Sequence, residues 1–109
     1  MPAATILDAP KKHYGKLKNY VDGEWVDSTA PKSLDVVNPA LDEVIAEVPL
    51  STQEEVNTVA NIAQEAFLDW RETPPTKRQQ YFFTLKQLMV DHFEELSRSI
   101  VQEMGKTIQ

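Results

Sequence analysis

The sequence contains no cysteine, and this absence excludes several kinds of chemistry. The chain cannot form a disulfide, bind a metal through thiolates or use a cysteine as a nucleophile. It has only three glycines, at positions 15, 23 and 105, so it carries no glycine-rich phosphate-binding loop. No apolar run approaches the roughly 20 residues of a membrane-spanning helix, and the N-terminus shows no signal or transit pattern. We therefore expect a soluble, cytoplasmic protein with no membrane partner.

The charge of the chain is negative and unevenly distributed. A net charge of -6 makes nucleic acid an unexpected partner. Four of the 11 basic residues are nevertheless Lys11, Lys12, Lys16 and Lys18. Residues 1–17 show no hydrophobic periodicity, and we interpret them as a flexible basic arm that packs late or not at all. The 41% hydrophobic fraction of the whole chain suits a globular protein, and we expect residues 18–109 to belong to one domain at most.

No group of side chains in the sequence has the spacing of a catalytic or metal site. The two histidines, His13 and His92, are far apart, whereas metal ligands normally come in sets of three or four. Adjacent residues of a helix point about 100° apart, so Glu94 and Glu95 indicate a solvated face. The serines have no base at a fixed spacing. We therefore predict no catalytic residue and no cofactor-binding residue.

The first half of the chain predicts two short β-hairpins. The dipeptide Asp22-Gly23 favours a type I′ turn, whose positive φ angles match the twist of a hairpin. Asn38-Pro39 ends a later strand because proline cannot donate to a ladder, and Asp42 lies in the turn that follows. The predicted strands are 19–21 with 24–26, and 34–37 with 44–48.

The second half predicts helices with apolar stripes. Two capping boxes are possible at the start of the first helix, Ser51 with Glu54 or Thr52 with Glu55. Prolines 74 and 75 separate this helix from the next, and we expect a break near 90–92 because the run to Gly105 is long. Trp70 and the hairpin residue Trp25 are expected to anchor a core. The stripes are Val56, Val59, Ala60, Ile62, Ala63, Ala66, Phe67 and Trp70, then Leu85, Leu88, Met89, Phe93, Leu96, Ile100 and Met104.

A series of short motifs follows in order along residues 17–109. They are Asn19-Tyr20-Val21-Asp22-Gly23-Glu24-Trp25-Val26, Val36-Val37-Asn38-Pro39-Ala40, Glu43-Val44-Ile45-Ala46, Val48-Pro49, Ala66-Phe67 through Trp70, and Glu103-Met104-Gly105-Lys106-Thr107. Each is weak alone, but their order resembles the N-terminal segment of the aldehyde dehydrogenase superfamily. Lys18–Val21 and Arg78–Gln80 most resemble its CoA-acylating methylmalonate-semialdehyde branch. Leu41-Asp42-Glu43 departs from the family, which usually has a glycine in this turn.

The resemblance implies an α+β piece, two short hairpins followed by two or three helices, of an α/β Rossmann-like cofactor domain. The family's cysteine nucleophile, glutamate base and phosphate-binding turns lie later in the chain, so this segment alone binds no cofactor. The full-length enzyme would use NAD, with CoA as a candidate co-substrate, and would form a dimer or tetramer. Some members bind a monovalent cation through backbone oxygens that correspond here to Val36 and Val37; ordinary strand residues are the alternative.

Two functional hypotheses follow. The first is a truncated N-terminal portion of an NAD(P)-dependent aldehyde dehydrogenase, which is inactive alone and has the remainder of that enzyme as its partner. The chain stops shortly after Gly105 without a polar tail, and we interpret this as an interruption. The second hypothesis is a non-catalytic interaction module that docks on a full-length dehydrogenase or another partner through the same apolar stripes.

Overall fold

The structure, a computed structural model, describes residues 11–107. Two antiparallel hairpins precede three consecutive helices, which confirms the predicted α+β order. None of the helices within 11–107 combines the length and the apolar character needed to cross a membrane. The elements are β1 (Asn19–Val21), β2 (Glu24–Val26), β3 (Ser33–Asn38), β4 (Glu43–Pro49), α1 (Gln53–Glu72), α2 (Pro75–Asp91) and α3 (Phe93–Met104).

The first hairpin, β1–β2, turns at Asp22 and Gly23, as predicted. Both residues have positive φ angles, 51° and 81°, which is the backbone that a type I′ turn requires. Tyr20 and Trp25 are opposite each other in the register, and their ring centroids lie 4.9 Å apart. This aromatic pair stabilises the hairpin across its two strands.

The second hairpin, β3–β4, turns at Asp42 (φ 56°), so the aspartate adopts a left-handed conformation that residues other than glycine, asparagine and aspartate seldom adopt. The register shifts in the middle of the hairpin, and Ile45 of β4 is the extra residue of a β-bulge. The carbonyl of Ile45 accepts a hydrogen bond from the backbone N–H of Tyr14 at 2.7 Å. The bulge therefore attaches the preceding segment of the chain.

That preceding segment, residues 11–17, runs along the free edge of β4. Besides the Tyr14 bond it exchanges two further backbone hydrogen bonds with this strand and forms a parallel bridge to it. The sequence predicted a flexible arm over 1–17 and did not anticipate these bonds. Residues 1–10 lie outside the described residues, so the arm as a whole stays a prediction.

The helix boundaries follow local chemistry. Thr52 and Glu55 form the capping box of α1, which decides between the two candidate boxes. Pro75 begins α2 at a position where its missing N–H needs no partner. His92 lies between α2 and α3, as the predicted break requires, and Gly105 ends α3 with φ 76°. Each of these helix boundaries is set by the capping or backbone preference of one or two residues.

The described residues enclose only a small core. Its buried apolar members are Ala30, Ile45 and Ala46, and all three helices expose their apolar side chains. The prediction that Trp25 and Trp70 anchor a core is wrong for this chain, because they are 69% and 40% exposed. Apart from its tyrosine neighbour, each ring lacks an aromatic partner among residues 11–107.

The dimensions of the chain agree with this lack of a core. The accessible surface is 9412 Å², whereas a folded monomer of 12.4 kDa exposes about 6,100 Å². The radius of gyration is 18.2 Å, compared with about 13 Å for a compact domain of this length. Residues 11–107 thus form secondary structure that encloses only the small core described above.

Candidate functional site

Residues 11–107 bring no catalytic set of side chains together. Within residues 11–107 no three histidine, aspartate or glutamate side chains are placed to hold a metal ion. The His13 imidazole Nδ1 accepts a hydrogen bond from the backbone N–H of Gly15 at 2.9 Å. His92 Nδ1 lies 3.3 Å from Glu95 Oε2, one turn later in α3. Both histidines therefore make local contacts within their own segments.

The candidate cation contacts, Val36 and Val37, lie on β3 where the register shifts. They are opposite Ala46 and Val44, and the extra residue between these two is Ile45 of β4. The structure does not test whether the backbone oxygens of the two β3 valines bind a cation, so this assignment stays a prediction.

The side chain of Glu55 is the main electrostatic feature of the described chain. Its carboxylate accepts hydrogen bonds from the backbone N–H groups of Thr52 (2.8 Å) and Thr29 (2.7 Å), and from the hydroxyl of Ser28 (3.0 Å). These bonds, that of Thr52 first, lower the pKa of Glu55 to about 2, because they stabilise the charged form. Glu55 thus joins the loop after β2 to the start of α1. Sequence reasoning found only its capping role.

A cavity of about 440 Å³ lies between the first hairpin and α1. Val21, Val26 and Val59 contribute apolar surface, and Asp27 and Glu54 contribute carboxylates. Among residues 11–107 no group of three metal-ligating side chains lines this cavity. It lies beside the hydrogen bonds by which Glu55 joins the loop after β2 to the start of α1.

Two of the sequence motifs meet at the end of α3. A Cβ atom at position 105 would lie 3.1 Å from Cγ of Pro39, so the Asn-Pro turn packs against the glycine that ends the helix. One turn earlier, Gln102 is buried and donates its Nε2–H to the carbonyl of Lys11 at 2.9 Å. These contacts join the end of α3 to the Asn-Pro turn and to the segment before β1.

The largest feature is an uncovered apolar surface on the three helices. Large hydrophobic side chains along them are between one third and two thirds exposed. The Nε atom of Arg78 is buried without a hydrogen-bond partner among the described residues. The exposed side chains are Val56, Val59, Phe67, Leu68 and Trp70 of α1; Tyr81, Phe82, Phe83, Leu85, Leu88, Met89 and Val90 of α2; and Phe93, Leu96, Ile100 and Met104 of α3.

Exposed apolar surfaces of this extent mark interaction sites or sites of aggregation. The sequence predicted the stripe of α1, and the structure confirms that it is uncovered within residues 11–107. The sequence analysis missed that α2 exposes apolar side chains around most of its circumference. Counting the apolar positions around the whole circumference of α2, and not along one face only, would have predicted this exposure.

Comparisons of the chain with a family model, with related sequences and with solved structures agree with one another. Residues 25–109 match the model of the aldehyde dehydrogenase family. The chain is 49% identical over 90 residues to malonate-semialdehyde dehydrogenase 2 of Oceanobacillus iheyensis, and 46% identical over 93 residues to malonate-semialdehyde dehydrogenase of Listeria monocytogenes. These matches cover 83% and 85% of this chain.

Crystal structures show the same arrangement of elements. An aldehyde dehydrogenase from Bartonella henselae superposes with a TM-score of 0.80 at 27% identity, over 84% of this chain and 19% of its own. Aldehyde dehydrogenase C from Pseudomonas syringae, a mutant in complex with NAD+ and octanal, gives 0.78 at 37% identity, over 82% and 18%. The chain spans 18% and 19% of the two curated relatives, less than one fifth of their length.

Proposed function

The chain belongs to the aldehyde dehydrogenase family, and on this premise we propose that it is the N-terminal portion of an NAD-dependent malonate- or methylmalonate-semialdehyde dehydrogenase. The observation that carries the proposal is the uncovered apolar surface of α1, α2 and α3. A piece that spans less than one fifth of its relatives leaves such a surface where the rest of the enzyme would pack.

In the family's reaction a cysteine thiolate attacks the aldehyde, a hydride passes to the nicotinamide, and the resulting thioester is released to water or CoA. This chain has no cysteine, and its described residues show no alternative nucleophile with a base. Its contribution is structural, because its helices form one side of the unit that holds the cofactor. We therefore expect the 109-residue chain alone to be inactive and to bind no NAD.

The finer parts of the proposal have unequal support. NAD as the oxidant is supported by the relative from Pseudomonas syringae, which was crystallised with NAD+. Malonate semialdehyde is supported by the names of the relatives, and the methylated substrate by the motifs at Lys18–Val21 and Arg78–Gln80. Use of CoA, assembly as a homo-dimer or tetramer, and a cytoplasmic location are further parts of the proposal.

A chimera tests the proposal directly. The 109-residue chain is joined to the remainder of malonate-semialdehyde dehydrogenase 2 from Oceanobacillus iheyensis, in place of the segment that it matches. NADH formation is measured with malonate semialdehyde and with its methyl derivative, each with and without CoA. The intact relative is the positive control, and its remainder without the segment is the negative control.

We expect NADH formation by the chimera and none by the isolated chain. NADH formation by the isolated chain would contradict the proposal, and so would a folded chimera that forms none. If the isolated chain were a stable monomer that binds an intact dehydrogenase, the interaction-module hypothesis would be favoured instead.

A further inference from the structure

The tip of the first hairpin is exposed and joins an aspartate to a glycine. Asp22 is the only aspartate of the chain that is followed by a glycine. Both residues are exposed, and the Asp22 carboxylate forms no hydrogen bond or ion pair within residues 11–107. A Cβ atom at position 23 would meet nothing within 4 Å, so the space around Gly23 is open. The side chain of Asp22 and the main chain of Gly23 are thus accessible to each other and to water.

The hairpin is held at its base, whereas its tip has no such support. At the base, the side-chain amide of Asn19 donates a hydrogen bond to the Ser51 hydroxyl at 3.0 Å, and Lys18 Nζ lies 3.6 Å from Asp27 Oδ2. Both strands have three residues, and they pair with no third strand among residues 11–107. Hairpins of two strands are marginally stable and open locally. The backbone at the tip can therefore rotate, as a ring closure between a side chain and the next nitrogen requires.

We propose that Asp22-Gly23 is a site of spontaneous isoaspartate formation. The backbone nitrogen of Gly23 loses its proton and bonds to Cγ of the neutral Asp22 carboxyl group, whose hydroxyl leaves as water; the product is a succinimide ring. Addition of one water at Cγ restores the aspartate. Addition at the main-chain carbonyl of Asp22 breaks the bond from that carbonyl to the Gly23 nitrogen, and the chain is then joined through the side chain. The reaction consumes no oxidant or cofactor, and it does not depend on the proposed function.

The second hairpin contains a matched site for comparison. Asp42 is also exposed and lies in a turn with a left-handed backbone, at φ 56° compared with 51° for Asp22. The residue after it is Glu43, whose side chain crowds the nitrogen that would have to attack. A glycine has no Cβ and permits the backbone rotations that ring closure needs. We therefore assign the reaction to Asp22 and not to Asp42.

An isoaspartate at position 22 would lengthen the turn by one main-chain atom. The two-residue turn sets the register of the hairpin, and this register places Tyr20 opposite Trp25 with ring centroids 4.9 Å apart. A longer turn separates the two rings, while the contacts of Asn19 and Lys18 at the base remain. The modified chain thus has the same mass and an altered environment of Trp25.

Incubation of the 109-residue chain, and of the chimera described above, at neutral pH and body temperature tests the proposal. A protein isoaspartyl methyltransferase with labelled S-adenosylmethionine measures the isoaspartate, and electron-transfer fragmentation of peptides locates it. We expect isoaspartate at position 22 and none at position 42. Asp22→Ser should lose the signal, and Asp22→Asn, whose uncharged amide is more open to attack, should accumulate it faster. Glu43→Gly should gain a second signal at position 42.

Three outcomes would overturn the proposal. The first is the absence of isoaspartate at position 22 from both proteins. The second is an equal amount at positions 22 and 42, because the glycine would then not determine the site. The third is isoaspartate that forms only after unfolding in urea, because the folded hairpin would then protect Asp22. The measurement needs no enzyme activity, so an inactive chimera would contradict the proposed function and leave this test intact.

Discussion

Replacing Gly105 by alanine perturbs two features of the molecule at once. The residue has a φ of 76°, a left-handed conformation that costs a non-glycine residue about 1–2 kcal/mol. The new Cβ would also lie 3.1 Å from Pro39 Cγ, closer than an ordinary van der Waals contact. Alanine restricts the unfolded chain and offsets about 0.5 kcal/mol of this cost. We expect Gly105→Ala to destabilise the end of α3 by roughly 1–2 kcal/mol.

Two other glycines separate the backbone cost from the contact with Pro39. Gly15 (φ 70°) and Gly23 (φ 81°) have the same type of conformation, but a Cβ at either position would meet nothing within 4 Å. Gly15→Ala and Gly23→Ala therefore report the conformational cost alone. The loss of stability in Gly105→Ala beyond that in these two variants measures the cost of the contact with Pro39. The double variant Gly105→Ala with Pro39→Ala should recover this additional loss.

The assay is amide hydrogen exchange in the full-length chimera, read on peptides that cover the last turn of α3. A loss of 1–2 kcal/mol corresponds to exchange that is roughly 5- to 30-fold faster, since 1.4 kcal/mol is tenfold. Unchanged protection in Gly105→Ala would refute the argument that the glycine is required where the Asn-Pro turn meets the helix.

Two further predictions concern contacts that join distant segments. The hydrogen bonds that lower the pKa of Glu55 to about 2 stabilise the folded chimera fully above pH 4.5, and this stabilisation is lost as the pH falls toward 2. Glu55→Gln should remove this part of the pH dependence of unfolding, and Glu54→Gln, outside these contacts, should retain it; equal profiles for the two variants would contradict the assignment. Gln102→Ala leaves the carbonyl of Lys11 without its donor, and a loss of about 1 kcal/mol should make the Tyr14 amide exchange roughly five-fold faster. Exchange at the wild-type rate would show that Gln102 does not hold this segment.

The elements that could be predicted from the sequence are those set by local chemistry. The turn at Asp22-Gly23, the break at His92 and the helix end at Gly105 each depend on the conformational preferences of one or two residues. The order of short motifs was equally informative, because it predicted the family that the comparisons confirmed.

Features that depend on distant residues could not be predicted. The bond from Gln102 to Lys11 joins residues 91 positions apart, and no local pattern indicates it. The network around Glu55 is similar, because only its capping contact is local while its bonds to Ser28 and Thr29 are tertiary. The exposure of Trp25 was mispredicted because a large aromatic side chain indicates a core, but not whether this chain supplies the other side of it.

We infer that the secondary structure of this chain acquires a full core only within a larger enzyme. Sedimentation velocity and thermal unfolding by circular dichroism on the isolated 109-residue chain test this inference. We predict self-association or aggregation, together with a helical signal that melts without a cooperative transition. A monomer with a single cooperative melt would contradict the claim, because it would show that these residues close a core of their own.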